Sequence, residues 1–310
     1  DYLCLAGGVA LNCVANGRLV RESGFKDIWI QPASGDAGGA VGAAFMVRHR
    51  YLDQPRSPLQ PDAMRGAYLG PSFSNDDIRD CLDSFAATYS ELSEDELLSR
   101  VAEALEQSHV VGWFQGRMEF GPRALGSRSI LGDPRNPKTQ SVLNRKIKYR
   151  ESFRPLAPAV LAERMTDYFD IDRPSPYMLF VAAVGDGQRL AIPDGQDKWE
   201  GIDKLNIQRS RLPAITHVDF SARVQTVHKE TNPIFHRLLR RFEARTGCGV
   251  LVNTSFNVRG EPIVCNPKEA FQCFMRTDMD CLAMGNFFLT KVGQTERVHK
   301  KLADKVFALD

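Results

Sequence analysis

The strongest constraint on this chain is an order repeated at its start: apolar strand, glycine turn, helix. Tyr2–Ala6 is a strand-like run followed by Gly7-Gly8. Asp27–Ile30 is a second such run, followed by the glycine-rich stretch 35–42, which leads into an apolar helix through Tyr51. Strand, glycine turn and helix in that order are the grammar of α/β folds. Residues 53–71 then hold Pro55, Pro58, Pro61 and Pro71 with almost no periodicity, the pattern of an interdomain linker. Two compact units also suit a chain of 310 residues better than one.

The second unit, residues 72–295, reads as mixed α/β. Ser93-Glu-Asp-Glu96 is a capping box that opens a helix running to about Gln107, and His109–Phe114 is a buried strand. Three further helices are expected to begin with Asn at the cap and Pro in the first turn, at Asn136-Pro137, Asn232-Pro233 and Asn266-Pro267. Gly247 stops the second of these, and Gly249–Asn253 is a short strand running into Thr254-Ser255-Phe256-Asn257. The charged residues 296–310 read as a surface helix or fraying tail.

Composition removes several classes. With 43% hydrophobic and 25% charged residues, 24 Gly and 17 Pro, the chain is neither disordered, collagen-like nor a disulfide scaffold. Seven cysteines, odd in number and without CxxC, suit reduced thiols in a cytoplasmic protein. No apolar run approaches the roughly 20 residues that span a bilayer, and no signal peptide is visible, so a soluble protein is expected. Asp1, not Met, stands first and a strand follows at once, so the chain reads as the C-terminal part of something longer.

Charge is uneven. Between Arg117 and Arg154 stand ten Lys/Arg and three acids, a surplus of seven in a chain whose net charge is +2. Within it, Gly116–Ser129 carries Arg117, Arg123 and Arg128 among bare glycines, and Lys146, Lys148, Arg150 and Arg154 follow. Guanidinium groups presented on such a turn suit a bidentate grip on phosphate, so an anion pocket is expected here. A nucleic-acid surface is disfavoured, because Phe120, Tyr149 and Phe153 are too few for a stacking platform.

Three weaker constellations accompany it. Gly7-Gly8-Val-Ala-Leu-Asn12 lets backbone approach a nucleotide or, the simpler reading, forms a tight turn with Asn12 as a cap. In Ser34–Ala44, Asp36 is either a metal ligand or the cap of a closely packed helix. His49 reads as a surface histidine, and without HxH or HxxxH the chain assembles no complete metal site. Asn253–Asn257 is a hydroxyl and amide cluster at a strand end, suited to orienting phosphate or carbonyl oxygens; Ser255 has no histidine near it in sequence, so a serine hydrolase finds no support. Arg223 among uncharged neighbours implies a partly buried, paired guanidinium.

Six segments, taken in order, carry a resemblance: GGVALN (7–12), PASGDAGGAVGAA (32–44), GRMEFGPRALGSRSILGDPR (116–135), LNRKIKYRESFRPLAPAVL (143–161), ARVQTV (222–227) and LVNTSFNVRGEPIVCNP (251–267). With them the chain resembles the C-terminal portion of NodU/CmcH-type O-carbamoyltransferases. That resemblance implies an α/β (mixed α+β) chain: residues 1–52 as the end of an actin/Hsp70-like (Kae1-like) transfer domain, and residues 72–295 as a YrdC-like domain making carbamoyl adenylate. It implies carbamoyl phosphate, ATP with Mg²⁺ and a small-molecule hydroxyl acceptor as partners. Iron (Fe²⁺) is implied in the transfer domain, with Asp36 the one matching ligand here.

As residues, the resemblance implies Arg123, Lys148, Arg154, Arg223 and Ser255 for the carbamoyl and phosphate groups. Gly7, Gly8, Asn12, Arg117, Arg128 and Asn257 are the accompanying candidates for nucleotide contact. At 220–221 similar proteins show Gly-Thr where this chain has Phe220-Ser221, beside Arg223. Two other readings stand next to this one: a carbamoyl-adenylate synthase serving tRNA threonylcarbamoylation, and a non-catalytic nucleotide- or RNA-binding module. The acceptor and the oligomeric state, a homodimer included, are left open.

Overall fold

The computed structural model describes residues 1–60, 62–205 and 207–295; the predicted tail at 296–310 lies outside the described residues. Strands β1 (Tyr2–Leu5) and β2 (Asp27–Ile30) pair in parallel, Leu5 opposite Ile30. Helix α1 (Cys13–Glu22) crosses between them, and α2 (Asp36–Met46) follows β2 and ends in a π turn, Val47–Tyr51. This is the expected order of strands and helices. Asn12 is the cap of α1, its Oδ1 accepting from the Ala15 N–H at 3.1 Å.

Two features fasten α1 to the rest of the chain. Asn16 donates from Nδ2 to the Ala10 and Leu179 carbonyls at 2.8 and 3.1 Å, and it is buried. Gly17 lets the helix touch backbone, since a Cβ there would stand 2.6 Å from the Val181 carbonyl oxygen. Ile28 and Ile30 share a core with Met64, Ala67, Leu125, Tyr177, Met178 and Leu179. The proline-rich stretch is therefore anchored at its far end: Tyr68 Oη donates to the Leu125 carbonyl at 2.8 Å.

The remainder builds one large sheet. Its first half contains α3 (Asn75–Ser84), β3 (Ser90–Glu91), α4 (Glu94–Glu106), β4 (Val111–Phe114), β5 (Arg128–Gly132), α5 (Thr139–Val142) and β6 (Ala157–Leu161). After α6 (Met165–Tyr168) come β7 (Phe169–Asp170), β8 (Phe180–Val184), α7 (Gly201–Leu205) and β9 (Ser221–Val227). The end holds α8 (Pro233–Thr246), β10 (Val250–Ser255), α9 (Pro267–Arg276), β11 (Cys281–Met284) and β12 (Phe287–Thr290). Ten strands lie in the order β3-β12-β11-β4-β5-β10-β6-β9-β8-β7. Only β11–β4 and β6–β9 are parallel neighbours among them, so the fold is mixed α/β.

Local sequence explains most of these elements. Ser93 and Glu96 close the predicted capping box, and Asn232 and Asn266 cap α8 and α9 with Pro in the first turn. Asn136 does not cap. Its Oδ1 accepts from Lys138 N–H at 2.9 Å, closing a turn, and the helix starts only at Thr139, running one turn before a π turn at Leu143–Ile147. A side-chain oxygen satisfied two residues onward bends the chain instead of starting a helix. The central strands β4 and β11 are buried throughout. Trp113 faces Phe235 of α8, while its neighbour Phe114 faces Phe73 on the other side. Among the described residues, no helix is long and apolar enough to cross a membrane.

Candidate anion-binding site

Where the start of α1 meets the large sheet, a cavity of about 380 Å³ opens. Arg223 enters it from β9, Ser255 from the end of β10, and Arg150 and Arg154 from the segment before β6. Arg123 comes from the glycine loop, and Cys13 and Val14 bring the first turn of α1 to the same space. Among the described residues that line it, none is acidic.

The glycine loop is held rigidly. The buried Glu119 carboxylate accepts from the Leu125 N–H at 2.6 Å and from the Ser127 N–H at 2.8 Å through Oε1. Burial raises its pKa against those bonds. Gly126 sits at φ +104°, and a Cβ there would collide with the Phe235 ring. The loop thus delivers Arg123 from a fixed frame, at the cost of a buried carboxyl.

Cations crowd the cavity, and of the four arginines Arg154 is paired with a carboxylate, that of Glu151. Burial first, and the like charge of Arg223 second, lower the pKa of Arg123 to about 10. Arg150 is lowered by burial, then by Arg154 and Arg223. Arg223 is lowered by burial, against which the Cys13 thiol acts as its hydrogen-bond partner, so it is the partly buried, paired guanidinium that its sequence setting implied. Arg123 spends one N–H on the Leu11 carbonyl at 3.2 Å, while its Nε has no partner among the described residues. The half-exposed Arg154 leans on Glu151 at 2.8 Å. His217 also lines the cavity with its Nε2 unpartnered, and burial lowers its pKa. Such a concentration of positive charge suits an anion.

Arg123, Arg154, Arg223 and Ser255 of the predicted set are brought together here. Lys148 stands behind them. It is buried, and its Nζ donates to Ser255 Oγ at 3.1 Å, to the Asn257 carbonyl at 2.8 Å, to Asn257 Oδ1 at 2.7 Å, and to the Ser255 carbonyl. Burial pushes its pKa down to about 7. Lys148 and Asn257 therefore fix the strand end that carries Ser255, and neither lines the cavity.

The structure does not bring the other candidates to this cavity. Arg117 donates to the Gly70 and Leu69 carbonyls at 2.9 and 2.8 Å, latching the chain that precedes α3. Arg128 is fully buried over the Phe114 ring, 3.6 Å from its centre, and its guanidinium is spent on carbonyls such as Gln115 and Pro71. Gly7 and Gly8 lie exposed in the turn before α1, where Asn12 is occupied as a cap. Asp36 is exposed in the first turn of α2. Among the described residues no three His, Cys, Asp or Glu side chains come together, so the donors present do not make an iron site around Asp36.

Three titratable lining residues, Arg150, His217 and Cys13, were absent from the predicted set. Arg150 belonged to the basic run but had no feature separating it from Lys146. His217 stood in a segment singled out for its neighbour Phe220. Cys13 had no sequence signal at all, because its place depends on how α1 docks on β8.

Comparison with known proteins places these residues in a lineage. Residues 102–291 match the family described as Carbamoyltransferase C-terminus, and residues 1–45 match Carbamoyltransferase N-terminus. An uncharacterized protein of Synechocystis sp. is 63% identical over all of this chain and 51% of its own length. Nodulation protein NolO of Bradyrhizobium diazoefficiens is 39% identical, over 93% of this chain and 49% of its own. The 3'-hydroxymethylcephem-O-carbamoyltransferase of Amycolatopsis lactamdurans is 36% identical, over 84% of this chain and 44% of its own. The chain thus spans about half the length of the curated relatives it matches. With the C-terminal family matched across the whole arginine-bearing region, from α4 to the last strand, the chain belongs to the carbamoyltransferase family.

Proposed function

We propose that the cavity binds carbamoyl phosphate beside the phosphates of Mg²⁺-bound ATP, and that the chain forms carbamoyl adenylate for an O-carbamoyltransferase. The observation that carries this reading is the gathering of four guanidinium groups (Arg123, Arg150, Arg154 and Arg223) around one cavity with no acidic residue lining it. Two polyanions repel each other, and this charge lets them meet. Water releases phosphate from carbamoyl phosphate; an oxygen of the resulting carbamate then bonds to the α-phosphorus of ATP as pyrophosphate leaves. The magnesium travels with the nucleotide and shields its phosphates. Ser255 Oγ accepts from Lys148 and donates to Asn257 Oδ1 at 2.7 Å, and it orients an oxygen of the reacting group by turning that proton from Asn257 to the ligand.

Family membership supports the wider reading. Residues 1–52 would belong to a Kae1-like transfer domain and 72–295 to a YrdC-like activating domain, which passes the carbamoyl group to a hydroxyl of a small-molecule natural product or glycan. Carbamoyl-phosphate-dependent release of pyrophosphate from ATP and Mg²⁺ by this chain tests the activating step. Release that needs both substrates is the expected result. Absence of binding by either substrate in calorimetry would overturn the reading, and release that needs bicarbonate and threonine instead would point to tRNA threonylcarbamoylation.

A further inference from the structure

Arg150 and Arg154 reach the cavity from one short strap, and a single buried amide holds both ends of it. Asn144, in the π turn Leu143–Ile147, is fully buried. Its Nδ2 donates to the Ser152 and Arg154 carbonyls at 3.1 and 2.8 Å, and its Oδ1 accepts from Arg150 Nε at 2.8 Å. The main-chain carbonyl of Asn144 accepts from the Arg150 N–H at 2.9 Å.

That amide can point only one way. Two carbonyls demand its NH₂ end, which leaves the oxygen for the Arg150 Nε–H. Reversed, Oδ1 would meet two carbonyls, and the NH₂ would meet a guanidinium that has no acceptor. A guanidinium is planar, so fixing the direction of its Nε–H sets the plane in which the terminal nitrogens lie. Those nitrogens have no partner among the described residues, and Arg150 lines the cavity. An amide oxygen also steers Arg150 without the counter-charge that a carboxylate would bring. Arg154 offers the contrast, since it shares its charge with Glu151 at 2.8 Å.

Resting on the reading of the cavity as a phosphate-binding site, we infer that Asn144 is a positioning residue that acts through Arg150, aligning its guanidinium so that the terminal N–H groups meet a pair of phosphate oxygens as a fork. Asn144 itself is buried behind the strap and does not line the cavity. Gln140 separates alignment from simple anchoring. Its Nε2 donates to the same Arg154 carbonyl at 3.1 Å, so it holds the strap without touching the Arg150 side chain.

Calorimetric titration of the full chain with inorganic phosphate measures the alignment. Asn144→Ala should weaken phosphate binding about tenfold, and Gln140→Ala by less than about twofold. Arg150→Lys keeps the charge and removes the fork, so it should also lose about tenfold, and adding Asn144→Ala to it should cost less than about twofold more. An equal loss from Asn144→Ala in both backgrounds would make it a structural residue and overturn the inference; so would phosphate affinity retained in Arg150→Lys. Magnetic resonance of the isotope-labelled parent gives a readout that needs no change at Asn144. The Arg150 Nε–H, assigned by its absence in Arg150→Lys, should be protected from exchange with or without phosphate, and the terminal N–H groups only with it. An unprotected Nε–H would overturn the inference. Binding of phosphate but not of carbamoyl phosphate by the parent would overturn the proposed function and spare this role; binding of neither would overturn both.

Discussion

Arg223→Met separates what the cavity costs the fold from what it gives the ligand. Arg223 sits on β9 beside the Cys13 thiol, and Arg123 shares the cavity with it. The fall in the Arg123 pKa from 12.5 to about 10 corresponds to about 3 kcal/mol, at roughly 1.4 kcal/mol per pH unit. Burial is its leading cause and Arg223 the second, so after discounting for partial exposure about 1 kcal/mol falls to the Arg223 charge. The sign is clear: a cation whose folded pKa is lowered recovers its stability only as pH rises through 10 toward 12.5, so the penalty is fully present at pH 7.

Methionine keeps much of the volume and removes that charge. Thermal unfolding in phosphate-free buffer should therefore shift upward by about 2 °C for about 1 kcal/mol. Phosphate affinity should fall by about 10- to 150-fold, the loss of one charge-assisted hydrogen bond worth roughly 1.5–3 kcal/mol. Melting curves with and without phosphate, together with calorimetric titration, measure both quantities on one preparation. A lower melting temperature combined with unchanged phosphate affinity would refute the reasoning, because Arg223 would then be a structural residue facing no ligand.

Four other outcomes follow from the same geometry. Lys148→Met removes the shared donor of Ser255 Oγ and of the Ser255 and Asn257 carbonyls, leaving Asn257 Oδ1 only its bond from Ser255 Oγ, so denaturant unfolding should show a loss of about 3 kcal/mol. Because the folded pKa of Lys148 is about 7 against 10.5 ordinarily, stability of the parent should rise with pH between those values, and the variant should lack that slope. Gly17→Ala pushes a methyl into the Val181 carbonyl oxygen at 2.6 Å, so α1 should undock, with a cost of about 1–3 kcal/mol and weaker anion binding in titration. Sulfate binding should tighten as pH falls below the ordinary histidine range, since His217 is lowered by burial and gains a charge only there; His217→Gln should flatten that profile. Phe220→Gly should leave phosphate affinity within about twofold and stability within about 1 kcal/mol, since relief of a residue at φ +61° offsets the lost stacking on Arg189.

Elements with local causes were legible in the sequence. The capping box at Ser93, the Asn-Pro starts of α8 and α9 and the left-handed stop at Gly247 each depend on side chains within four residues of one another, so the chain alone displays them. Asn136-Pro137 shows the limit of the same rule: the identical pair makes a turn when the asparagine oxygen is taken by Lys138. The basic stretch announced an anion site, yet charge says nothing about direction. Arg128 and Arg117 look like Arg123 in sequence, but they are consumed by carbonyls that only the folded loop supplies. Cys13 reaches the cavity through contacts more than 150 residues apart in the chain, such as Asn16 with the Leu179 carbonyl, and no local pattern encodes them.

The division of labour among cations explains which of them sequence can identify. An arginine that serves the fold spends its terminal N–H groups on backbone carbonyls, as Arg128 does in full burial over Phe114, where only its Nε has no partner among the described residues. An arginine that serves a ligand must keep donors unspent, and that state is stable only where burial is incomplete and the frame is held by other groups. Arg123 meets the condition by giving one terminal N–H to the Leu11 carbonyl and bringing the rest of its fork to the cavity, on a loop whose shape is fixed by the Glu119 carboxylate. Lys148 is the opposite case, buried with its donors spent, and it serves the cavity by holding Ser255 and Asn257 in place. Binding energy at the cavity therefore depends on groups that never touch the anion, and the unspent donor, more than the charge, marks the residue that does.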